Sequence, residues 1–178
     1  MSKNTLTDES VLPRALLAVH GALVALRYAV SQRRPAEEVE RAVQGICTLC
    51  DGLGAARREG VDAAVSSLAA LSTDFRPALS LYRLEDPRIA QEVRSQIANP
   101  DVTLLRRLAC AMDEAAKALT RIAHAGNWQA VAEISDTLEP LPWMALRRQE
   151  ASCREALSDL AQRVPGTEPV LDAYERDD

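Results

Sequence analysis

Apolar residues recur along this chain at spacings of three and four almost from end to end. Leu12, Leu16, Val19, Leu23, Leu26 and Val30 make one stripe, and Ala15, Ala18, Ala22, Ala25 and Ala29 run beside it. That is the period of an α-helix, and two stripes on one segment predict a helix buried on two faces, hence a central one. Its start is set at Ser10, a capping residue, with Pro13 accommodated in the first turn. Pro35 opens a second helix, with Glu37 and Glu38 in the first turn where the dipole favours acids. Its stripe is Val39, Val43, Ile46, Cys50 and Leu53. Gly45, Gly52 and Gly54 weaken its second half, and Gly60 ends it. Asp62 caps a short third helix carrying Val65, Leu68 and Leu71, and Thr73 to Glu85 reads as an irregular helical turn around Phe75 and Pro77.

Asp86-Pro87 restarts the pattern, with Ile89, Val93 and Ile97 at intervals of four. Asn99-Pro100-Asp101 closes that helix and starts the second long one. Leu105, Leu108, Met112, Ala115, Leu119 and Ile122 form its main stripe, with Ala109, Ala116 and Ala123 beside it. Asn127 caps a short helix ending at Pro140. Pro142 opens the last, with Leu146, Cys153, Leu157, Leu160 and Val164 inward and Pro165-Gly166 as its stop. No segment alternates as a strand does. The expected fold is therefore all-α, a single-domain multi-helix bundle of about seven helices, two of them long and central. Residues 1–9 are expected to be a flexible N-terminus, 10–164 the bundle and 165–178 an acidic C-terminal tail. The segment Gly126-Asn127-Trp128-Gln129-Ala130-Val131 resembles the inter-helix turn of a tetratricopeptide repeat. Gly60-Val61-Asp62 lies near two such periods earlier, but Val93, at the intermediate position, sits inside a helix pattern, so no repeat is predicted.

Composition narrows the material of the core. Aromatics are 3% of the 178 residues, so the interior is built from Leu, Val, Ile and Ala, which suits closely packed helices better than sheets. The net charge of −5 is mostly terminal: Glu168, Asp172, Glu175, Asp177 and Asp178 against Arg176 give −4, leaving −1 on the body. A near-neutral body supplies no basic field for nucleic acid. Of the 21 cations only Lys3 and Lys117 are lysines, an arginine and alanine bias expected of a GC-rich bacterial genome. The longest apolar run, Ala15 to Leu26, is interrupted by His20 and Gly21, too short and broken for a membrane span. Asp8, Glu9 and Pro13 occupy the region a signal peptide would make basic. Four cysteines in this length make no disulfide framework, and the expected location is the cytoplasm.

Cys47-Thr-Leu-Cys50 falls mid-helix, with no strand before it. Cβ atoms three residues apart on a helix are about 5–6 Å apart, whereas a disulfide needs roughly 3.5–4.5 Å. The pair reads as packing, with a thiol switch at Cys47 and Cys50 the alternative. Cys153 faces the core and Cys110 faces solvent, so no zinc site converges and no metal or other cofactor is expected. His20, between the apolar stripes, reads as a hydrogen-bonded core histidine, and His124 as a cation in a last helical turn. Glu37 with Arg41, Asp113 with Lys117, Glu150 with Arg154, and Asp159 with Arg163 have the spacing of solvated ion pairs. No catalytic motif stands out, and the chain reads as a non-enzyme.

Four arginine doublets remain. Arg33-Arg34 and Arg57-Arg58 lie near expected helix C-termini, where cations belong. Arg106-Arg107 and Arg147-Arg148 lie in early turns, which makes Arg106, Arg107, Arg147 and Arg148 the candidate anion or nucleic-acid contact. Trp128 and Trp143 stand near helix starts, as loop anchors or partner-binding residues. The leading expectation is a helical interaction protein that binds another protein: an adaptor, an inhibitor or immunity protein, or a small structural subunit. The alternatives are a helical subunit of a ribonucleoprotein assembly and a thiol-based sensor. No membrane partner is expected, and a monomer, with the two long helices packed alanine face to alanine face, is favoured over a homodimer.

Overall fold

The computed structural model describes residues 8–55, 58–97 and 100–176. Those residues form ten α-helices and one 3-10 turn, with no strand among them. The order is α1 (Asp8–Ser31), α2 (Ala36–Ala55), α3 (Arg58–Leu71), the 3-10 turn (Thr73–Phe75), α4 (Arg76–Arg83), α5 (Pro87–Ile97), α6 (Val102–His124), α7 (Trp128–Leu138), α8 (Leu141–Leu146), α9 (Glu150–Arg163) and α10 (Glu168–Glu175). The all-α class is as the periodicity predicts, but the chain is cut more finely than into seven pieces.

The two long helices, α1 and α6, are central. Helix α1 packs mainly against α4, α7 and α2, and α6 mainly against α2 and α10. The two touch each other only lightly, so the expected alanine-to-alanine seam between them is not the main contact. Each spends its small residues on other neighbours. On α1, Gly21 meets α4 so closely that an added Cβ would lie 3.0 Å from the Ala78 Cα. Helix α1 is long and apolar enough over Val11–Ser31 to cross a membrane, by length and composition alone, which corrects the expectation of too short an apolar run. In the bundle, 72% of that window is buried against the other helices.

Several boundaries differ from the sequence expectation, each for a local reason. Helix α1 already runs from Asp8, so Ser10 is not its cap and Pro13 lies inside it. Residues 1–7 are outside the described chain. Gly60 lies within α3 rather than ending α2. Gly45 and Gly52 do not interrupt α2. They let α3 approach, since a Cβ at Gly45 would stand 2.6 Å from Leu68 Cδ2 and one at Gly52 3.3 Å from Val61 Cγ2. Asp62, expected as a cap, is inside α3 and its carboxylate accepts a hydrogen bond from the Tyr82 hydroxyl. The caps at Asp101 and Asn127 form as expected, accepting from Leu104 N at 3.1 Å and Ala130 N at 3.2 Å.

The expected last helix is broken in two. Arg148 takes the left-handed conformation at φ 62°, its N–H bonded to Ala145 O and that of Gln149 to Met144 O, which closes α8 before α9 begins. Beyond Val164 the chain also departs from expectation. Residues 168–175 are not a free acidic tail but α10, which buries Val170, Ala173 and Tyr174 against α6 and α9. Thr167 starts it from within the core, its hydroxyl donating to Val164 O at 2.6 Å. Arg154 holds Glu175 at 3.6 Å.

Candidate functional site

The most distinctive part of the described surface is one end of the bundle, where α1 finishes and α2 begins. Ser31 Oγ donates to the Tyr28 carbonyl at 2.7 Å, Arg33 turns left-handed at φ 54°, and Pro35 then admits α2. This brings Ala29, Arg34, Glu38 and Arg41 opposite the end of α3 and the 3-10 turn. With Leu71, Ser72, Asp74 and Phe75 they line a small cleft of about 40 Å³, room for no more than a few atoms.

Two large apolar side chains stand exposed among the described residues, Tyr28 at 48% and Leu71 at 37%. Leu71 lines the cleft, and Tyr28 immediately precedes Ala29 in its wall. Tyr28 belongs to neither apolar stripe of α1, which is the sequence mark of an outward-facing aromatic. Leu71 was expected to point inward with Val65 and Leu68, and it stays at the rim because α3 ends there.

The charges at this end are partly matched. Arg34 Nη2 pairs with Asp74 at 3.1 Å. The expected Glu37–Arg41 pair is not among the ion pairs of the described residues, and Arg41 faces the cleft instead. The pairs Asp113–Lys117, Glu150–Arg154 and Asp159–Arg163 form, at 3.4, 3.2 and 2.9 Å.

The other candidate residues lie elsewhere. Arg107, on α6, pairs with Glu150 at 3.0 Å and lies over the Tyr174 ring, 5.6 Å from its centroid. Because Glu150 opens α9, this sets Arg107 beside the turn that carries Arg147 and Arg148. Arg147 in turn grips Glu92 of α5, with Nε at 3.1 Å and Nη2 at 2.6 Å from one carboxylate oxygen, and covers Trp143 at 5.3 Å. The two arginines thus each face a carboxylate, while Arg106 is exposed. Of the remaining doublets, Arg57 lies outside the described residues.

Trp128 and Trp143 are half-buried against the core. His20 Nδ1 lies 2.6 Å from the Glu139 carbonyl, so that nitrogen carries the proton, and the ring meets Trp143 edge-on at 6.3 Å. Arg27 closes the same corner on Asp136 and Glu139. Cys50 is buried, and burial, with Asp113 and Cys47 nearby, pushes its thiol far above the ordinary range. Cys47 is half-buried, Cys110 exposed, and Cys153 buried with its pKa pushed up to about 11 by desolvation and by Glu150. None of the four is in a disulfide. No three His, Cys, Asp or Glu side chains converge for a metal among the described residues.

Within the interior, Arg14 is the most buried cation among the described residues, 5% exposed, donating from Nε to the Tyr82 carbonyl at 2.7 Å and stacked 4.3 Å from that ring. Through Tyr82 and Asp62 it ties α1, α4 and α3 together, and sequence spacing gave no sign of it. A hollow of about 420 Å³ on the outer face of α9, lined by Ala151, Arg154, Glu155, Ser158 and Asp159 among others, is open to solvent.

Comparison with family models, with curated proteins and with solved structures gave no match to this chain.

Proposed function

We propose that this chain works by binding another protein, without catalysis of its own, through the end of the bundle that presents Tyr28 and Leu71. The carrying observation is that, of the two exposed large apolar side chains among the described residues, Leu71 lines the cleft and Tyr28 directly precedes Ala29 in its wall. An exposed tyrosine beside arginines on a helical end is the kind of group from which protein interfaces draw most of their affinity, and Leu71 adds apolar surface to it. Arg33 and Arg41 supply a polar rim. The setting this fits is an adaptor, an inhibitor or a small structural subunit of the bacterial cytoplasm.

Paired capture from the producing cells tests it, with wild type and the Tyr28→Ser/Leu71→Ser variant as baits. Tyr28 and Leu71 still bury about half and two-thirds of their surface, so the variant is expected to be roughly 1–3 kcal/mol less stable than wild type yet folded, which thermal melting checks. It should lose the wild type's specific partner. A partner retained in full by the folded variant would move the interface elsewhere.

The nucleic-acid reading draws on one observation, the approach of Arg107 to the turn carrying Arg147 and Arg148. Against it stand the carboxylates of Glu150 and Glu92, which hold Arg107 and Arg147, and a net charge of −5 whose C-terminal acids are carried into the bundle by α10. Weak, steeply salt-dependent binding to random duplex DNA is therefore expected in fluorescence anisotropy. Sub-micromolar affinity at physiological salt would place this reading first.

A further inference from the structure

Helix α5 is held differently from its neighbours. Of its described side chains, Val93 alone joins the continuous core, with Ala90 buried and Ile89 half-buried beside it. The shorter α10, by contrast, buries Val170, Ala173 and the whole Tyr174 ring, whose hydroxyl donates to Glu150 O. The neighbours of α5 are α1 and α8. It is entered through Leu84, a leucine held left-handed at φ 56°, and then Asp86-Pro87. An L-residue in that region is strained.

The outward edge of α5 is tied by one inter-helix ion pair among the described residues. Glu92 accepts both hydrogen bonds from Arg147, which is itself laid over Trp143. Both partners are nearly half exposed, so the pair is weak and sensitive to salt. Few buried apolar contacts among the described side chains, a strained entry and a screened tie are the marks of a segment that opens well below the free energy of global unfolding.

We propose that α5 is a strap that leaves the bundle as a unit, that the Glu92–Arg147 pair is its latch, and that opening releases the Arg147 side chain from its place over Trp143. This device is separate from the Tyr28–Leu71 end and does not depend on it.

Hydrogen–deuterium exchange with mass spectrometry on the full chain tests the strap. The amides of α5 are expected to exchange at least about tenfold faster than those of α6. Glu92→Gln should quicken α5 by a further factor of about two to five while α1 and α6 stay unchanged. Raising the salt should quicken α5 in wild type and have less effect in the variant. In a Trp128→Phe background, Glu92→Arg sets like charges together and should move Trp143 emission to the red. Exchange of α5 in step with α6 would overturn the proposal. So would a Glu92→Gln variant that leaves α5 unchanged or speeds all helices alike, or unmoved Trp143 emission in Glu92→Arg.

Discussion

Three single residues hold turns that the sequence does not advertise. Arg33, Leu84 and Arg148 are left-handed at φ 54°, 56° and 62°, each at the end of a helix. Each is followed by the same bond pair, as in Leu84 N to Leu81 O with Glu85 N to Ser80 O. Gly126 makes the same turn at φ 76° with no steric conflict. Where the turn residue is glycine the stop was legible, and where it is Arg148 the helix was read straight through. Arg33 is exposed, so Arg33→Gly removes the strain with little else, and about 0.5–1 kcal/mol of added stability is expected in chemical denaturation. A loss would mean that the flexibility gained by the unfolded chain outweighs the strain. Gly21 shows the opposite case. A methyl group there meets the Ala78 backbone, 3.0 Å from Cα and 3.1 Å from N, which a rotamer change cannot relieve. Gly21→Ala is expected to cost at least about 1 kcal/mol despite alanine's better helix propensity, and an unchanged melting temperature would show that α1 and α4 separate freely.

Among elements, α10 has the most to teach. Val170, Ala173 and Tyr174 have helical spacing, so the helix was legible, but the surrounding acids made the segment read as tail. What the sequence could not show is that Tyr174 would find a seat between Arg107 and Glu150. Burial raises its hydroxyl from an ordinary 10 to about 12, with Cys153 and Glu150 adding to the effect and Arg107 and Arg154 opposing it. The charged form is the deprotonated one, so the folded state keeps this proton to higher pH than the unfolded chain does. The contribution is complete below about pH 10 and is lost as pH rises through 12, on the order of 2 kcal/mol in all. Cys153, raised from 9 to about 11, begins the decline earlier, from pH 9. Wild type should thus lose stability progressively above pH 9. Tyr174→Phe gives up the bond to Glu150 O and should be about 0.5–1.5 kcal/mol less stable at neutral pH. Its curve should fall less between pH 10 and 12, and parallel curves for the two proteins would show that the hydroxyl is solvated.

For the whole molecule, the helical period made the class legible, and the ends and partners of the helices were harder to read. Stripes tell which face is buried but not which helix buries it. That is why α1 and α6 were expected to share their alanines, and why the Arg14–Tyr82–Asp62 tie and the Tyr28–Leu71 end went unseen. The same stripes raised the question of whether the second face of α1 serves a second copy of the chain. Ala15, Ala18 and Ala22 are fully buried and Ala25 and Ala29 nearly so within a single chain, as are Leu16, Leu17, Leu23 and Leu26. Both faces are therefore already used, by α2, α4, α7 and α8. Ala22→Leu adds three heavy atoms to a closed contact and should cost roughly 1–3 kcal/mol in thermal or chemical unfolding. With Ala22 buried within a single chain, the mass from light scattering is expected to be the same before and after the substitution. If wild type were instead a dimer and Ala22→Leu a folded monomer, α1 would have to leave its place among the four helices to pair, and the packing described here would not be the one in solution.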